Sequence, residues 1–217
     1  MQAKQALIVW GGWDGHQPKE VAGLLAGLLQ DAGFEVEISD TLDRFKDAES
    51  LKAVDLIVPI WTMGTIGKDQ LGPLLQAVKE NGTGIAGCHG GMGDSFRMEV
   101  EYQFMVGGQW VAHPGNDGVR YTVNMRQPDH PLVRGIEDFE VSSEKYYMHV
   151  DPAIDVLATT TFEGYGPGGS DVLMPVVWTK KYGAGKVYYC SLGHQANIVA
   201  MPPVLELMKR GMVWAAR

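Results

Sequence analysis

Apolar residues form short unbroken runs over the first ninety positions and alternating patterns over the rest. Ala6–Trp10, "ALIVW", is a continuous apolar run. Such a run predicts a strand covered on both faces. Pro18–Ala32 repeats Val21, Leu24, Leu25, Leu28 and Leu29 at helical spacing, with Pro18 suited to the first turn and Gly33 to the C′ position. Phe34–Ile38 alternates as a second strand, and Val54–Ile60, "VDLIVPI", is a third, buried one. Leu71–Lys79 is helical and closes at Asn81-Gly82, and Gly84–Cys88 is a fourth strand. The alternation β-α-β-(α)-β-α-β implies a parallel sheet with helices on both faces.

Beyond residue 94 the pattern changes. Ser95–Val106 predicts a helix. Val119–Met125, Ile136–Val141, Lys145–Val150 and Ile154–Thr161 are short strand-like runs, and Met174–Thr179 and Lys186–Leu192 flank the hairpin turn "KKYGAG". A helix at Val204–Ala216 follows Pro202 and Pro203. The expected fold is one α/β domain over 1–217: a doubly wound, mostly parallel sheet with antiparallel additions in the C-terminal half.

Composition narrows the function. With 217 residues, 45% of them hydrophobic, the chain can bury a full core. Its net charge of −8 argues against nucleic acid, which needs a basic face, and against anionic membranes. No run approaches the roughly 20 apolar residues of a membrane span. "MQAKQALIVWGG" reads as a first strand, not a targeting segment. The two cysteines, Cys88 and Cys190, end apolar runs rather than framing loops. They are read as reduced thiols of a cytoplasmic protein.

In an open parallel sheet, ligands bind beyond the carboxyl ends of the strands. "GGWDGH", "WTMGT" and "CHGGMGD" leave such ends in the first half, and "YYCSLGHQAN" does so in the second. They bring Trp13, Asp14, His16, Trp61, Thr62, His89, Asp94 and His194 toward one crevice. The frame Gly87-Cys88-His89-Gly90-Gly91 is that of a sharp strand-to-helix elbow with His89 at its apex. Neighbouring strand positions point to opposite sides, so Cys88 faces the covered sheet as a small hydrophobe. Imidazole at an open bend serves as base, acid or metal ligand.

His16, His89 and His194 are the candidate metal ligands, and His89, His194 and Glu144 the candidate catalytic groups. Trp13, Asp14, Trp61, Thr62 and Tyr147 are the candidate substrate contacts, with Tyr146 beside Glu144 also able to line a pocket. His113 and His149 stand in a second line, and His130 between prolines shapes a turn. No nucleotide is expected, because "GGWDG" lacks the G-x-G-x-x-G spacing and no G-x-x-x-x-G-K-[ST] exists. No Cys-x-x-Cys zinc pattern exists either. Separate histidines and a glutamate can hold one divalent ion, Zn, Mn or Fe, if the fold brings them to about 2.0–2.2 Å from it.

Four blocks, "GIAGCHGG", "HPLVRGIEDFEVSSEKYYMH", "GAGKVYYCSLGHQ" and the terminal "VWAAR", occur in an order that resembles the ThuA-like family, named for trehalose utilisation. The resemblance implies the class I glutamine amidotransferase-like superfamily and its flavodoxin-like sandwich. In true amidotransferases the elbow apex is a Cys paired with a His after a late strand. Here His89 falls at the nucleophile's place and His194 near the triad histidine, so the resemblance implies that glutaminase activity is absent. It further implies a role in carbohydrate catabolism, beside oxidoreductases that make 3-keto sugars. The expected function is metal-assisted or histidine acid–base chemistry on a sugar or keto-sugar: isomerisation, elimination or hydrolysis. The alternatives are a non-catalytic sugar-binding or regulatory protein, and residual thiol chemistry through Cys88. The expected partners are a small carbohydrate and, in a homo-oligomer, further copies of the chain.

Overall fold

The computed structural model describes residues 3–217. Eleven strands and seven α-helices are present among them. The first half runs β1 (Gln5–Gly12), α1 (Pro18–Asp31), β2 (Glu35–Ser39), α2 (Ala48–Leu51), β3 (Leu56–Thr62), α3 (Lys68–Lys79), β4 (Gly84–Cys88) and α4 (His89–Gly93). The second half runs α5 (Val100–Val106), β5 (Gly108–Ala112), β6 (Val119–Met125), β7 (Phe139–Ser143), β8 (Tyr147–Val150), β9 (Asp155–Phe162), β10 (Val172–Tyr182), β11 (Gly185–Cys190), α6 (Ala196–Val199) and α7 (Pro202–Ala215).

Nine strands form one sheet in the order β2-β1-β3-β4-β11-β10-β9-β6-β7, and β5 pairs with β8 in a separate ribbon. Strands β2, β1, β3, β4 and β11 are parallel, and β10, β9, β6 and β7 continue the sheet antiparallel. This is the α/β sheet with antiparallel C-terminal additions that the patterning predicts.

The pleat explains the two cores. Ala6 and Ile8 join α1 and α7 on one face, while Leu7 and Val9 join α3 and α5 on the other. Leu7, Ile8 and Val9 are all fully buried. Burying each such side chain contributes about 1.5–3 kcal/mol, so this run specifies a central strand. Helix α7 lies so close to β11 that a Cβ on Gly211 would stand 2.3 Å from the Tyr188 ring. No helix among the described residues is long and apolar enough to cross a membrane.

Several local expectations change: β7 begins at Phe139 rather than Ile136, and β8 at Tyr147 rather than Lys145. The helix expected over Ser95–Val106 begins only at Val100. Met63 makes an isolated bridge to Ser95, and Phe96 takes a left-handed φ of 45°, so the chain after the elbow is drawn against β3 before it can coil. The hairpin turn is tighter than "KKYGAG": Tyr182 pairs with Gly185, leaving only Gly183 and Ala184 between the strands. Strand β5 carries no sequence signal of its own and forms because β8 offers it an edge.

Candidate metal centre

Strand β4 ends at Cys88, and the next residue reverses hand: His89 has φ 48°. A side chain other than glycine is costly there, and such strain clusters at functional bends. The elbow is held from several sides. Gly91 meets the backbone of β3, where a Cβ would lie 2.9 Å from Ile60 Cα, and the Tyr189 hydroxyl donates to the His89 carbonyl at 2.9 Å. His89 is 1% exposed and stacks on Tyr146 at 3.9 Å.

His16 arrives from the loop after β1. Its neighbour Trp13 donates its amide to the Thr62 carbonyl at 3.2 Å, which ties this loop to the end of β3. His16 Nδ1 then shares a hydrogen with Thr62 Oγ1 at 2.8 Å. A Cβ on Gly90 would lie 2.6 Å from the His16 ring, so the elbow needs glycine there for His16 to approach. His194 arrives past β11. The chain reaches it through Gly193 at φ 114°, passing directly over Cys88. Glu144 lies between β7 and β8, with its carbonyl accepting from the Tyr121 hydroxyl at 3.0 Å. Lys145 turns the other way, donating to the Thr161 carbonyl.

Three imidazole nitrogens converge on one carboxylate oxygen. His89 Nε2 is 3.1 Å from Glu144 Oε2, His194 Nδ1 is 3.4 Å from it, and His16 Nε2 is 3.8 Å from it. All four candidate ligand atoms lie within 4.8 Å of one another, and all four residues are buried. Ligands about 2.0–2.2 Å from a shared tetrahedral cation would stand about 3.4 Å apart, so the observed spacing brackets what a cation requires.

The protonation pattern points the same way. His89 Nδ1 faces the Ser191 carbonyl at 2.8 Å. A carbonyl only accepts, so Nδ1 carries the hydrogen and a neutral ring turns its Nε2 lone pair toward Glu144. Burial pushes His89 down to about 4, against the pull of Glu144, so the ring is neutral near pH 7. Burial alone would raise Glu144, yet the neighbouring imidazoles, His16 and then His194, hold it well below the usual carboxylate range. An imidazole lone pair and a carboxylate thus face each other at 3.1 Å, and either a proton or a cation must lie between them. His194 Nδ1 is buried without a hydrogen-bond partner. Burial lowers His194, but Glu144 and then Asp117 outweigh it and raise it above its ordinary value.

Outer contacts orient the rings as metal-site ligands require: Ser191 for His89, Thr62 for His16, and Asp117, 3.8 Å from His194 Nε2, on the far side. Of the four, His16 and Glu144 line a cavity of about 190 Å³ walled also by Trp13, Thr62, Asp94, Arg97, Trp110, His113 and Tyr146. His89, expected at an open bend, is instead 1% exposed and lies behind them with His194, because Tyr146 stacks on its ring.

Of the residues singled out in the sequence, the fold brings His16, His89, His194 and Glu144 together and sets Trp13 and Thr62 on the cavity wall. Trp61 is elsewhere: its ring fills the space beside Gly11 and Gly64. Asp14 sits exposed in a 3-10 turn with no contact to the cluster. Tyr147, the first residue of β8, packs with Phe162 and Tyr165, while Tyr146, just before the strand, lines the cavity. His113 stands 3.7 Å from Glu144 Oε1, whereas His149 lines a separate apolar groove. His130 accepts the Leu132 amide within its turn. Arg97 and Asp117 carried no signal in the sequence beyond their charge. The only local hint of Arg97 is the opposite charge of Asp94 three residues before it.

The chain matches the family model described as trehalose utilisation, ThuA, over residues 5–215. It belongs to the ThuA family. None of the curated proteins matches it. Among solved structures it is similar to a ThuA-like protein of Parabacteroides merdae, with 19% identity, TM-score 0.77, and coverage of 99% of this chain and 90% of that one. A ThuA-like protein of Bacteroides uniformis gives 17% identity, TM-score 0.79, and coverage of 99% and 93%. A glutamine amidotransferase of Thermotoga maritima gives 11% identity, TM-score 0.54, and coverage of 88% and 76%. At these identities the likeness to solved structures is one of fold.

In this ThuA family member the elbow apex is imidazole, and the nearest thiol is beneath it. Cys88 is 3% exposed, and burial pushes its thiol far above the ordinary range, with Cys190 adding to the effect. A thiol that stays protonated is neither nucleophile nor ligand. Iodoacetamide at neutral pH is therefore expected to leave Cys88 unmodified in the folded protein and to label it after denaturation. Mass spectrometry showing native-state labelling at Cys88 would restore the thiol alternative.

Proposed function

We propose that the protein is an enzyme of carbohydrate breakdown that holds one divalent cation on His16, His89, His194 and Glu144 and acts on a sugar or keto-sugar. The convergence of three imidazole nitrogens on Glu144 Oε2 carries this reading. The family's description as trehalose utilisation and the aromatic cavity walls support the substrate class. A three-nitrogen, one-oxygen donor set suits Zn, Mn or Fe. When bound, the cation supplies Lewis acidity that polarises a substrate carbonyl.

The chain's own residues supply the rest. Thr62 and Ser191 hold two rings in place, and Trp13 and Trp110 offer flat apolar faces to the ring of a sugar. His113 faces the cavity from outside the ligand set, with Nε2 turned toward Glu144 Oε1. From there it can take or return a proton at a carbon beside the carbonyl. Two buried, unpaired cysteines fit a reducing compartment, and we place the protein in the cytoplasm.

Elemental analysis of protein purified without chelator or metal-affinity resin tests the reading. The expected result is close to one equivalent of Zn, Mn or Fe, lost in His89→Ala while the circular dichroism spectrum is kept. Wild-type protein that takes up none of these ions, with sugar binding equal in His89→Ala, identifies a non-catalytic binding module instead.

A further inference from the structure

The cavity wall holds one guanidinium whose donors are only partly taken up by its neighbours. Arg97 Nε donates to Asp94 Oδ1 at 2.5 Å and its Nη2 to Oδ2 at 2.8 Å, while its guanidinium lies over the Trp110 ring at 4.5 Å. Its Nη1 has no hydrogen-bond partner among the described residues, and Arg97 lines the cavity. Such a group is immobilised on two sides and left with one free donor edge. A guanidinium fork that only had to close an ion pair would gain little from this arrangement at a half-exposed position.

The anchor is rigid with respect to the metal cluster. Asp94 is 4% exposed, its amide donates to the Gly90 carbonyl at 3.2 Å, and its carbonyl accepts the Met63 amide at 2.8 Å. Asp94 is therefore fixed to the same elbow that carries His89 and to the end of β3. The free Nη1 edge keeps a constant place relative to the ligand set. Guanidinium donates and never accepts, so its counterpart is an oxygen lone pair. Pairing with Asp94 leaves no net charge to attract an anion, so hydroxyl or carbonyl oxygens suffice.

Size limits what reaches it. The cavity holds about 190 Å³, below the roughly 300 Å³ where pockets for drug-sized ligands begin. One six-membered ring fits such a space. A second ring would project beyond Trp13, which is 47% exposed at the rim.

Resting on the carbohydrate reading above, we propose that the site takes a single sugar ring and that Arg97, through Nη1, is its specificity-determining residue, with Asp94 and Trp110 as positioning residues. Trp13 and Trp110 on the cavity wall make intrinsic fluorescence the readout, and D-glucose and trehalose are the probes for one ring and two. In metal-loaded protein D-glucose is expected to give a saturable change, with trehalose binding no more tightly. Arg97→Met is expected to weaken D-glucose roughly tenfold to a hundredfold, the cost of losing a hydrogen bond from a charged donor. Arg97→Lys, which keeps charge but loses the planar fork, is expected to weaken it similarly, and Asp94→Asn less. Metal content should equal wild type in the Arg97 variants.

Trehalose binding tenfold tighter than D-glucose, wild-type affinity in both Arg97 variants, or no response to either sugar overturns the proposal. Absence of metal in wild-type protein is read independently by elemental analysis. It overturns the metal reading while leaving the sugar titration to decide this one.

Discussion

Glu144→Gln is expected to lower metal affinity by more than about a hundredfold while leaving the fold intact. Glu144 Oε2 is the atom on which His16, His89 and His194 all converge. The amide keeps its shape and removes its charge. Changing a partner that only orients a ligand typically costs 10–100-fold in metal affinity, and loss of the single anionic ligand costs more. The variant also separates two roles of the carboxylate. Glu144 is what raises His194 against the effect of burial, so in Glu144→Gln the His194 titration should move down, which proton NMR of the imidazole resonances follows. Wild-type metal stoichiometry in this variant at micromolar ion would show that Glu144 is no ligand.

Chelator-treated protein is expected to lose stability as pH falls from about 6.5 to 4. His89 sits at about 4 when folded, against an ordinary value of 6.5. Between those limits the unfolded chain binds a proton that the folded chain does not, so acid favours unfolding. Each unit is worth about 1.4 kcal/mol, giving up to about 3 kcal/mol over the window. His194 acts oppositely. Its folded value is raised, so its contribution is present below its ordinary value and lost as pH rises through the folded one. Glu144, held low, adds a further loss below about 4.5, where the unfolded carboxyl protonates first. Urea melts across this range should therefore slope steeply in wild type and less so in His89→Gln. A His89 resonance that titrates above pH 6 in the metal-free protein would sink this expectation. In the metal-loaded protein the same acidification should release the ion, since imidazole ligands must be neutral.

How much of this was legible beforehand varies with the range of the interaction involved. The elbow was readable because its requirements are local. Glycines must flank a turn that only small residues permit, and alternation along β4 decides that Cys88 goes under and His89 goes over. The helix after it was not readable. A bridge from Met63 to Ser95 delays its start, and no pattern within 95–106 reports a partner thirty residues earlier. Tyr146 and Tyr147 show the limit most plainly. Either could face the cavity, and the choice depends on the register of a ribbon whose other strand, β5, has no signal of its own.

By itself the sequence determined the elements of the parallel half, the imidazole at the apex of the bend and the family blocks. The elements and the bend follow from neighbours close in sequence, and the blocks from their order along the chain, neither of which needs a tertiary contact. Only the tertiary structure decided that His16, His89, Glu144 and His194, spread over 179 positions of the chain, share one oxygen. It alone decided that Arg97 presents a free edge while Trp61 turns inward. Those outcomes depend on strand order and register, which arise when distant segments pack together, and local periodicity carries no record of which segments those are.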